Sequence, residues 1–146
     1  MMLADAAQAV EGKLYILGGG WSVTGPFPVP HAIGLKFEVP WDQANIRQRF
    51  QLQLLDGDGQ VVQVDTGAGP QPIMIGGEFE VGRPPGTMQG TPLDQVVAYN
   101  FPPLQLLPGS RYSWVLYIND ETQDEWNLSF TTRPLPPGLV LEQPPG

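Results

Sequence analysis

The chain of 146 residues has no cysteine and a single histidine. Without cysteine it has no disulfide, no thiolate metal ligand and no cysteine nucleophile. The one histidine, His31, is too few for a three-histidine or a His-Glu-His zinc site. No serine lies in a G-x-S-x-G motif, so a serine triad through His31 has no support in the sequence. These absences predict a protein that is not an enzyme, with no catalytic, cofactor-binding or metal-binding residues.

Basic residues are also few, with seven lysines and arginines against fifteen acidic residues and a net charge of -8. Arg47 and Arg49 are the only closely spaced basic pair, so no basic stripe is present to bind phosphate backbones. No apolar run approaches the length of a membrane span. Residues 1–12 contain Asp5 and no lysine or arginine, so they lack the basic start of a signal peptide. We expect no nucleic-acid partner, no membrane segment and a cytoplasmic location, or a virion location for a phage gene.

Glycine and proline are abundant, at 18 and 17 residues, which favours many turns between short strands. Apolar and polar residues alternate most clearly in HAIGLKFEVP at 31–40 and in RQRFQLQLLD at 47–56. Residues 22–31 and 83–92 are predicted loops, and residues 41–45 are predicted to form one helical turn. The predicted strands are 2–10, 13–19, 31–40, 47–56, 60–64, 73–82 with a bulge at Gly76-Gly77, 95–101, 112–119 and 125–132.

The segment LLPGSRYSW, residues 106–114, spaces Pro108-Gly109 and Tyr112 as in the tyrosine corner of Greek-key sandwiches. Residues 112–133 resemble the last two strands of fibronectin type III-like modules. Together with the strand pattern, this predicts an all-β fold. The expected architecture is a single Greek-key antiparallel β-sandwich, immunoglobulin- or fibronectin III-like, with seven to nine strands. The predicted domains are the β-sandwich, 1–133, and a proline-rich C-terminal arm, 134–146.

Three stretches carry a resemblance that extends over nearly the whole chain: ADAAQAVEGKLYILGGGW, FEVPWDQAN and PGSRYSW. They resemble an uncharacterised bacterial family of small β-sandwich proteins, a domain of unknown function. The resemblance implies the sandwich fold. It implies no activity, ligand or catalytic residue, because the family has none established.

The glycine triplet in EGKLYILGGGW, residues 11–21, raises the hypothesis of a phosphate-binding loop. A dinucleotide fingerprint would need a third glycine where Val23 stands, followed by a helix. The prolines within residues 26–30 exclude that helix. Residues 18–20 are therefore interpreted as the end of a strand, where the backbone needs a positive φ or packs closely beneath Trp21.

Acidic residues raise two further hypotheses. Residues 56–60 and the polar loop 119–124 would supply oxygens for calcium, which takes roughly six to eight of them. EF-hand spacing is missing and Asp-Gly pairs are common hairpin tips, so a turn is the favoured interpretation of residues 56–60. Glu78 and Glu80, on one face of a strand, leave a paired-carboxylate hydrolase open. The favoured interpretation of that pair is a solvated strand face.

Four tryptophans raise the hypothesis of an aromatic platform for sugars. Trp114 is in phase with Tyr112 along one strand, and Trp126 is in phase with Phe130, so both are predicted to lie in the core. Trp21 and Trp41 lie at the boundaries of predicted secondary-structure elements. They are the two tryptophans whose side chains could be exposed to solvent. Packing against the core is the favoured interpretation for both of them.

The C-terminal segment RPLPPGLVLEQPPG begins with a short polyproline-like stretch. In an extended chain Leu139 and Leu141 share one face, and Val140 and Glu142 share the other. We expect the arm of residues 134–146 to be extended, and to dock on its own domain or on a neighbouring subunit.

The sequence therefore favours a non-catalytic structural or interaction module, a subunit or accessory protein of a larger assembly such as a bacterial particle or a phage virion. Its expected partner is a protein or another copy of itself, bound through the proline-rich loops and the C-terminal arm. The alternative is a small-ligand or carbohydrate-binding β-sandwich module that uses Trp21 or Trp41. An acid-dependent hydrolase ranks third, and the fold class itself gives it no support.

Overall fold

The structure, a computed structural model, describes residues 1–65 and 67–138. Within these ranges the chain is all-β, with twelve strands, one turn of 3-10 helix and no α-helix. The described residues accordingly contain no helix long and apolar enough to cross a membrane. The strands are β1 (Met2–Ala4), β2 (Ala6–Val10), β3 (Lys13–Leu17), β4 (Val23–Thr24), β5 (His31–Val39), β6 (Gln48–Asp56), β7 (Gln63–Asp65), β8 (Pro70–Pro72), β9 (Met74–Phe79), β10 (Leu93–Phe101), β11 (Arg111–Ile118) and β12 (Asn127–Thr132).

These strands form four sheets in the described part of the chain. The three-stranded sheet has the order β1-β5-β10, and the five-stranded sheet has the order β4-β12-β11-β6-β9. Two smaller sheets consist of β2-β3 and β7-β8. Neighbouring strands are antiparallel, apart from β4, which runs parallel to β12.

The two larger sheets share one hydrophobic core. Phe37 of β5 lies 5.4 Å from Phe50 of β6, measured between ring centroids. Phe101 of β10 stacks on Trp114 of β11 at 5.0 Å. Because alternate residues of a strand point to one face, the apolar sides of β5, β6 and β11 meet between the sheets. The alternation seen in the sequence is therefore the pattern that builds this core.

The predicted alternation fails in the first half of β5, where His31–Leu35 are all buried. The outer face of this half is covered by the β2-β3 sheet, and Ile16 of β3 packs over Gly34. A Cβ atom on Gly34 would lie 2.7 Å from the Cδ1 atom of Ile16, so a larger residue there would displace the covering sheet. The second half of β5 keeps the predicted pattern, with Lys36 and Glu38 exposed.

The predicted N-terminal hairpin, 2–10 with 13–19, is confirmed as β2 and β3, but its first arm is interrupted. The Asp5 amide donates to the carbonyls of Leu17 and Gly18, at 3.1 Å in each case. This turns the chain away from the hairpin, so that β1 joins β5 in a different sheet. The prediction of one continuous strand over residues 2–10 is therefore wrong.

Several other strands agree with the sequence prediction to within two residues, namely β5, β6, β10, β11 and β12. The predicted helical turn forms as the 3-10 turn Trp41–Gln43. Two short strands depart from the prediction: β4 lies within the predicted loop 22–31, and β8 contains two prolines. These additions raise the number of strands above the predicted seven to nine. Prolines are tolerated in β8 because its sheet has two strands and each is an edge.

The bulge predicted at Gly76-Gly77 is absent. Both glycines pair in continuous register, opposite Gln51 and Phe50 respectively. A Cβ atom on Gly76 would lie 2.7 Å from the Phe50 carbonyl oxygen. Glycine is needed at position 76 because β9 approaches β6 closely there. It does not mark a bulge, because the strand contains no extra residue.

The tyrosine corner is confirmed by its hydrogen bond. The buried Tyr112 hydroxyl, at the start of β11, accepts a hydrogen bond from the Leu107 amide at 2.9 Å. Between them Gly109 has a φ of 62° and its amide donates to the Arg133 carbonyl at 3.1 Å. The corner thus ties the chain before β11 to the chain after β12.

We expect Tyr112→Phe to lower the free energy of unfolding by about 1–2 kcal/mol, because the Leu107 amide loses its acceptor. Urea unfolding of both proteins measures the change. Tyr117→Phe is the matched control, since within the described residues the Tyr117 hydroxyl forms no hydrogen bond and its side chain is on the outer face. Equal losses in the two variants would contradict a role for the corner hydrogen bond.

Candidate functional site

His31 lies inside an aromatic cluster at the start of β5, with 3% of its surface exposed. The indole Nε1 of Trp114 donates a hydrogen bond to His31 Nε2 at 2.8 Å. The rings of Trp21, Phe101 and Phe130 surround the imidazole at centroid distances of 5.3, 5.7 and 5.5 Å. Burial among these uncharged rings lowers the pKa of His31 to about 4.

At neutral pH His31 is therefore uncharged, with its proton on Nδ1 because Nε2 accepts the indole hydrogen. Within the described residues its side-chain hydrogen-bond partner is Trp114, and not a serine or a carboxylate. The hydrogen bond from Trp114 and the surrounding rings hold the imidazole in place inside the core. It does not form the nucleophile-base pair that a serine hydrolase requires.

The glycine triplet is the end of a strand, as predicted. β3 ends at Leu17, and no helix begins after residues 18–20. Gly18 and Gly20 have φ values of 61° and 88°, in the region that favours glycine. The Gly20 amide donates to the Leu3 carbonyl at 2.7 Å, so it is used within the fold. Trp21 follows and packs against the core.

The two loops considered for calcium lie at opposite ends of the five-stranded sheet. In the pairing of β6 with β11, Asp56 stands opposite Tyr112, whereas Phe50 stands opposite Ile118 just before the other loop. The Asp56 carboxylate accepts hydrogen bonds from the amides of Asp58 and Gln60, at 2.9 and 3.0 Å. Residues 56–60 therefore form the predicted hairpin turn, and residues 119–124 cannot complete a common site with them.

Across the described ranges, no three histidine, aspartate or glutamate side chains come close enough to hold one metal ion. Glu78 and Glu80 are both exposed, on and just after the edge strand β9. Arg47 lies 3.6 Å from Glu78 as a surface ion pair. The pair thus occupies the solvated face that the sequence indicated.

The four tryptophans differ in how far they are buried and in what covers them. Trp114 is fully buried, as predicted. Trp126 is half-buried and packs at the margin of the core. Trp21 is also half-buried, and its Nε1 atom is buried without a partner among the described residues. Trp41 packs on the small cluster around Val81, and one face of its ring is covered by the Arg83 guanidinium, 4.5 Å from the centroid.

Two surfaces stand out as candidates for binding, and they lie at opposite ends of the molecule. The first, which we name the corner end, contains the tyrosine corner, the loop 22–31 and the start of the C-terminal segment. Phe27, Val29 and Leu107 are exposed there by 48%, 38% and 70%. Phe27 and Val29 line one small pocket at this end, and Leu107 lies on the neighbouring proline-rich segment before β11.

The C-terminal segment leaves the domain at the corner end. Arg133 Nη1 donates to the Gly25 carbonyl at 3.0 Å. Pro134 packs beside Gly109, where a Cβ atom on the glycine would lie 3.7 Å from the proline ring. Residues 139–146, which include most of the predicted arm, lie outside the described residues.

The second surface is a cleft of about 700 Å³ at the other end, which we name the cleft end. Its apolar lining residues include Phe37 and Val39 of β5 on one side, and Ile118 of β11 and Trp126, just before β12, on the other. Its rim carries exposed polar and charged residues, among them Lys36, Glu38, Glu121, Gln123 and Glu125. The cleft is therefore lined by apolar and polar groups in similar measure.

Sequence reasoning missed this cleft. Phe37 and Val39 alternate like ordinary core residues, and nothing in the alternation shows whether a strand covers the edge beside them.

Neither the curated proteins nor the solved structures contain a significant match to this sequence. One family model does match, over residues 1–131. The match spans the hydrophobic core, the tyrosine corner and both candidate surfaces, apart from the C-terminal segment. It covers far more than half of the chain. The chain therefore belongs to DUF6941, a family of unknown function.

Proposed function

We propose that this protein is a non-catalytic interaction module, a subunit or accessory protein of a larger assembly such as a bacterial particle or a phage virion. The observation that carries the proposal is the corner end, where Phe27, Val29 and Leu107 are held exposed on proline-rich loops. Monomeric soluble proteins rarely leave large apolar patches uncovered, and such patches mark interaction sites. Rigid proline loops also reduce the entropy lost on binding.

The partner we propose is a protein. The net charge of -8 repels phosphate backbones, and exposed apolar side chains gain little from nucleic acid. The buried, uncharged His31 is a packing residue, which agrees with a module that binds and does not catalyse. Cytoplasm or a virion is the proposed location.

We also propose that the two larger sheets form an immunoglobulin-like Greek-key sandwich, to which the two small sheets are additions. Supporting this, the order β12-β11-β6 matches the G-F-C order of immunoglobulin domains. The corner tyrosine stands at the start of β11, which is the position of strand F in that scheme. Domains with this architecture commonly act as binding modules, with their loops clustered at the two ends.

Sedimentation velocity of the full chain over a range of concentrations, alone and with extracts of the source cells, tests the proposed function. We expect concentration-dependent or partner-dependent assembly that weakens in the double variant Phe27→Ser/Leu107→Ser by at least about tenfold in dissociation constant. Tyr15→Ser is the control, because Tyr15 is also exposed, by 56%, but lies on the β2-β3 sheet. A monomer under every condition would refute the proposal.

A further inference from the structure

A small pocket opens at the corner end, between residues 24–31 and residues 104–106. Its volume of about 20 Å³ has room for one water-sized group. The apolar residues that line it are Pro26, Phe27, Val29, Leu104 and Leu106, and the residues with polar side chains are Thr24, His31 and Thr132. Because Phe27 and Val29 belong to the exposed apolar surface of the corner end, the pocket lies within that surface.

His31 holds a hydrogen-bond donor that the fold does not use. Its Nε2 atom accepts from the Trp114 indole at 2.8 Å, so the neutral imidazole carries its hydrogen on Nδ1. Nδ1 has no hydrogen-bond partner among the described residues, although only 3% of His31 is exposed. Unpaired donors are rare inside proteins, and each of them requires an explanation.

The free Nδ1–H group of His31 faces the pocket. Within the described residues, Trp21 Nε1 is the one side-chain polar atom that is fully enclosed without a partner. His31 Nδ1 also lacks a partner there, so it is not fully enclosed and keeps an opening. The two nitrogens of an imidazole point in nearly opposite directions, and Nε2 is turned to the buried Trp114. Because His31 lines the pocket, the opening at Nδ1 is the pocket.

The other polar groups of the pocket favour an uncharged ligand. The Thr24 hydroxyl has no hydrogen-bond partner among the described residues and is a second donor at the pocket. The Thr132 hydroxyl is already used, since it accepts from the Ser110 amide at 2.9 Å and donates to the Leu107 carbonyl. No charged side chain in the described ranges lines the pocket, and burial lowers the pKa of His31 to about 4. At neutral pH the pocket therefore offers donors to a neutral acceptor.

We infer that this pocket binds one main-chain carbonyl oxygen of the partner protein, which accepts hydrogen bonds from His31 Nδ1 and the Thr24 hydroxyl. The inference rests on the proposed function and identifies the chemical group that the corner end recognises. A carbonyl oxygen has two lone pairs, so one atom pairs with both donors. A peptide is favoured over a free water molecule because its flanking side chains also cover Phe27 and Val29, which border the pocket and are exposed.

The single histidine of the chain makes this site directly observable. With isotope-labelled histidine, NMR of the full-length protein shows one imidazole, and its Nδ1 proton is followed during titration with N,N-dimethylacetamide. This probe presents an amide carbonyl and has no hydrogen to donate. We expect a saturable downfield shift of the Nδ1 proton, with a dissociation constant on the order of 10 mM for so small a ligand.

Thr24→Val removes the second donor and leaves His31 to report on binding. Valine has nearly the shape of threonine, so the pocket keeps its size. We expect the dissociation constant of the probe to rise by about threefold to tenfold, the usual effect of one hydrogen bond. Thr131→Val is the matched control, because Thr131 lies on the opposite face of β12 from Thr132 and should leave the affinity unchanged.

Two substitutions at position 31 separate recognition from packing. His31→Gln keeps an acceptor for Trp114 at the position of Nε2 and loses the donor at Nδ1. His31→Asn places its amide near the position of Nδ1 and loses the acceptor for Trp114. Main-chain amide signals of Gly25 and Phe27 report probe binding in both variants. We expect His31→Gln to fold stably and bind the probe at least about tenfold more weakly, and His31→Asn to be less stable and keep the affinity within about threefold.

The wild-type titration and Thr24→Val decide the question even where His31→Asn fails to fold. No saturable shift of the Nδ1 proton, or equal affinity of the wild type and His31→Gln for the probe, would overturn the inference. A cross-peak from the Nδ1 proton to a long-lived water that the probe does not displace would also overturn it, because the pocket would then hold a water molecule.

Assembly of the full chain separates this inference from the proposed function. Where the chain assembles, we expect His31→Gln to weaken the association by at least about tenfold in dissociation constant. Unchanged assembly of that variant would refute the carbonyl site and leave the proposed function on the rest of the corner end. A chain that stays monomeric and binds no protein would refute the proposed function, and with it the partner's carbonyl as the ligand, whatever the probe does.

Discussion

Trp114→Ala is expected to lower the free energy of unfolding by about 3–5 kcal/mol. Trp114 is fully buried at the centre of the core, where it stacks on Phe101 and donates its indole hydrogen to His31. Its removal leaves a large cavity and an unpaired acceptor on the imidazole. Urea denaturation at pH 7 measures the loss against the wild-type protein.

Trp114→Phe separates the contribution of the buried aromatic ring from that of the hydrogen bond to His31. It keeps an aromatic ring in the core but has no hydrogen to donate, so part of the cavity cost and the unpaired His31 acceptor remain. We expect a loss of about 1–3 kcal/mol, smaller than for alanine. A loss below about 1 kcal/mol in the alanine variant would contradict the central place of this side chain in the core.

The second large effect is the dependence of stability on pH. The pKa of His31 is about 4 in the folded protein and 6.5 in the unfolded chain, so between these values the unfolded chain binds the extra proton. The free energy of unfolding must therefore fall as the pH is lowered through this window and is insensitive to His31 above it. The full difference is about 3 kcal/mol, at about 1.4 kcal/mol for each pH unit.

His31→Gln isolates this contribution, because acidic residues also titrate near pH 4. Glutamine retains an acceptor for the Trp114 indole but binds no proton. Urea denaturation at intervals between pH 7 and pH 4 should give a smaller fall for the variant than for the wild type. The rings around His31 carry no charge that could offset its burial. Parallel curves would show that the folded protein and the unfolded chain bind the His31 proton equally well, which would contradict the lowered pKa of His31.

Much of the strand pattern could be predicted from the sequence because burial on one face produces alternation. β6, β11 and the second half of β5 follow that rule, and the turn at residues 56–60 is formed by the Asp-Gly sequence that predicts it. Alternation does not predict very short strands. β4 and β8, of two and three residues, contain too few positions to show a period.

The two candidate surfaces could be predicted from the sequence only in part. Composition makes the proline-rich loop at residues 22–31 a candidate, and Phe27 and Val29 are exposed on it. The cleft gives no such signal, because Phe37 and Val39 have the same sequence pattern whether or not a neighbouring strand covers their edge. Which distant segment pairs with an edge is set by the tertiary structure, and β1 pairs with Ala32–Gly34 of β5.

By itself, the sequence determined the all-β class, the tyrosine corner and the absence of thiol chemistry, because these depend on residue type and local spacing. Tertiary structure decided that His31 is a neutral core residue, since its pKa depends on rings from β10, β11 and β12. It also decided that the first half of β5 is buried on both faces. Both properties arise from contacts between residues far apart in the chain, and local pattern carries no information about which distant segments meet.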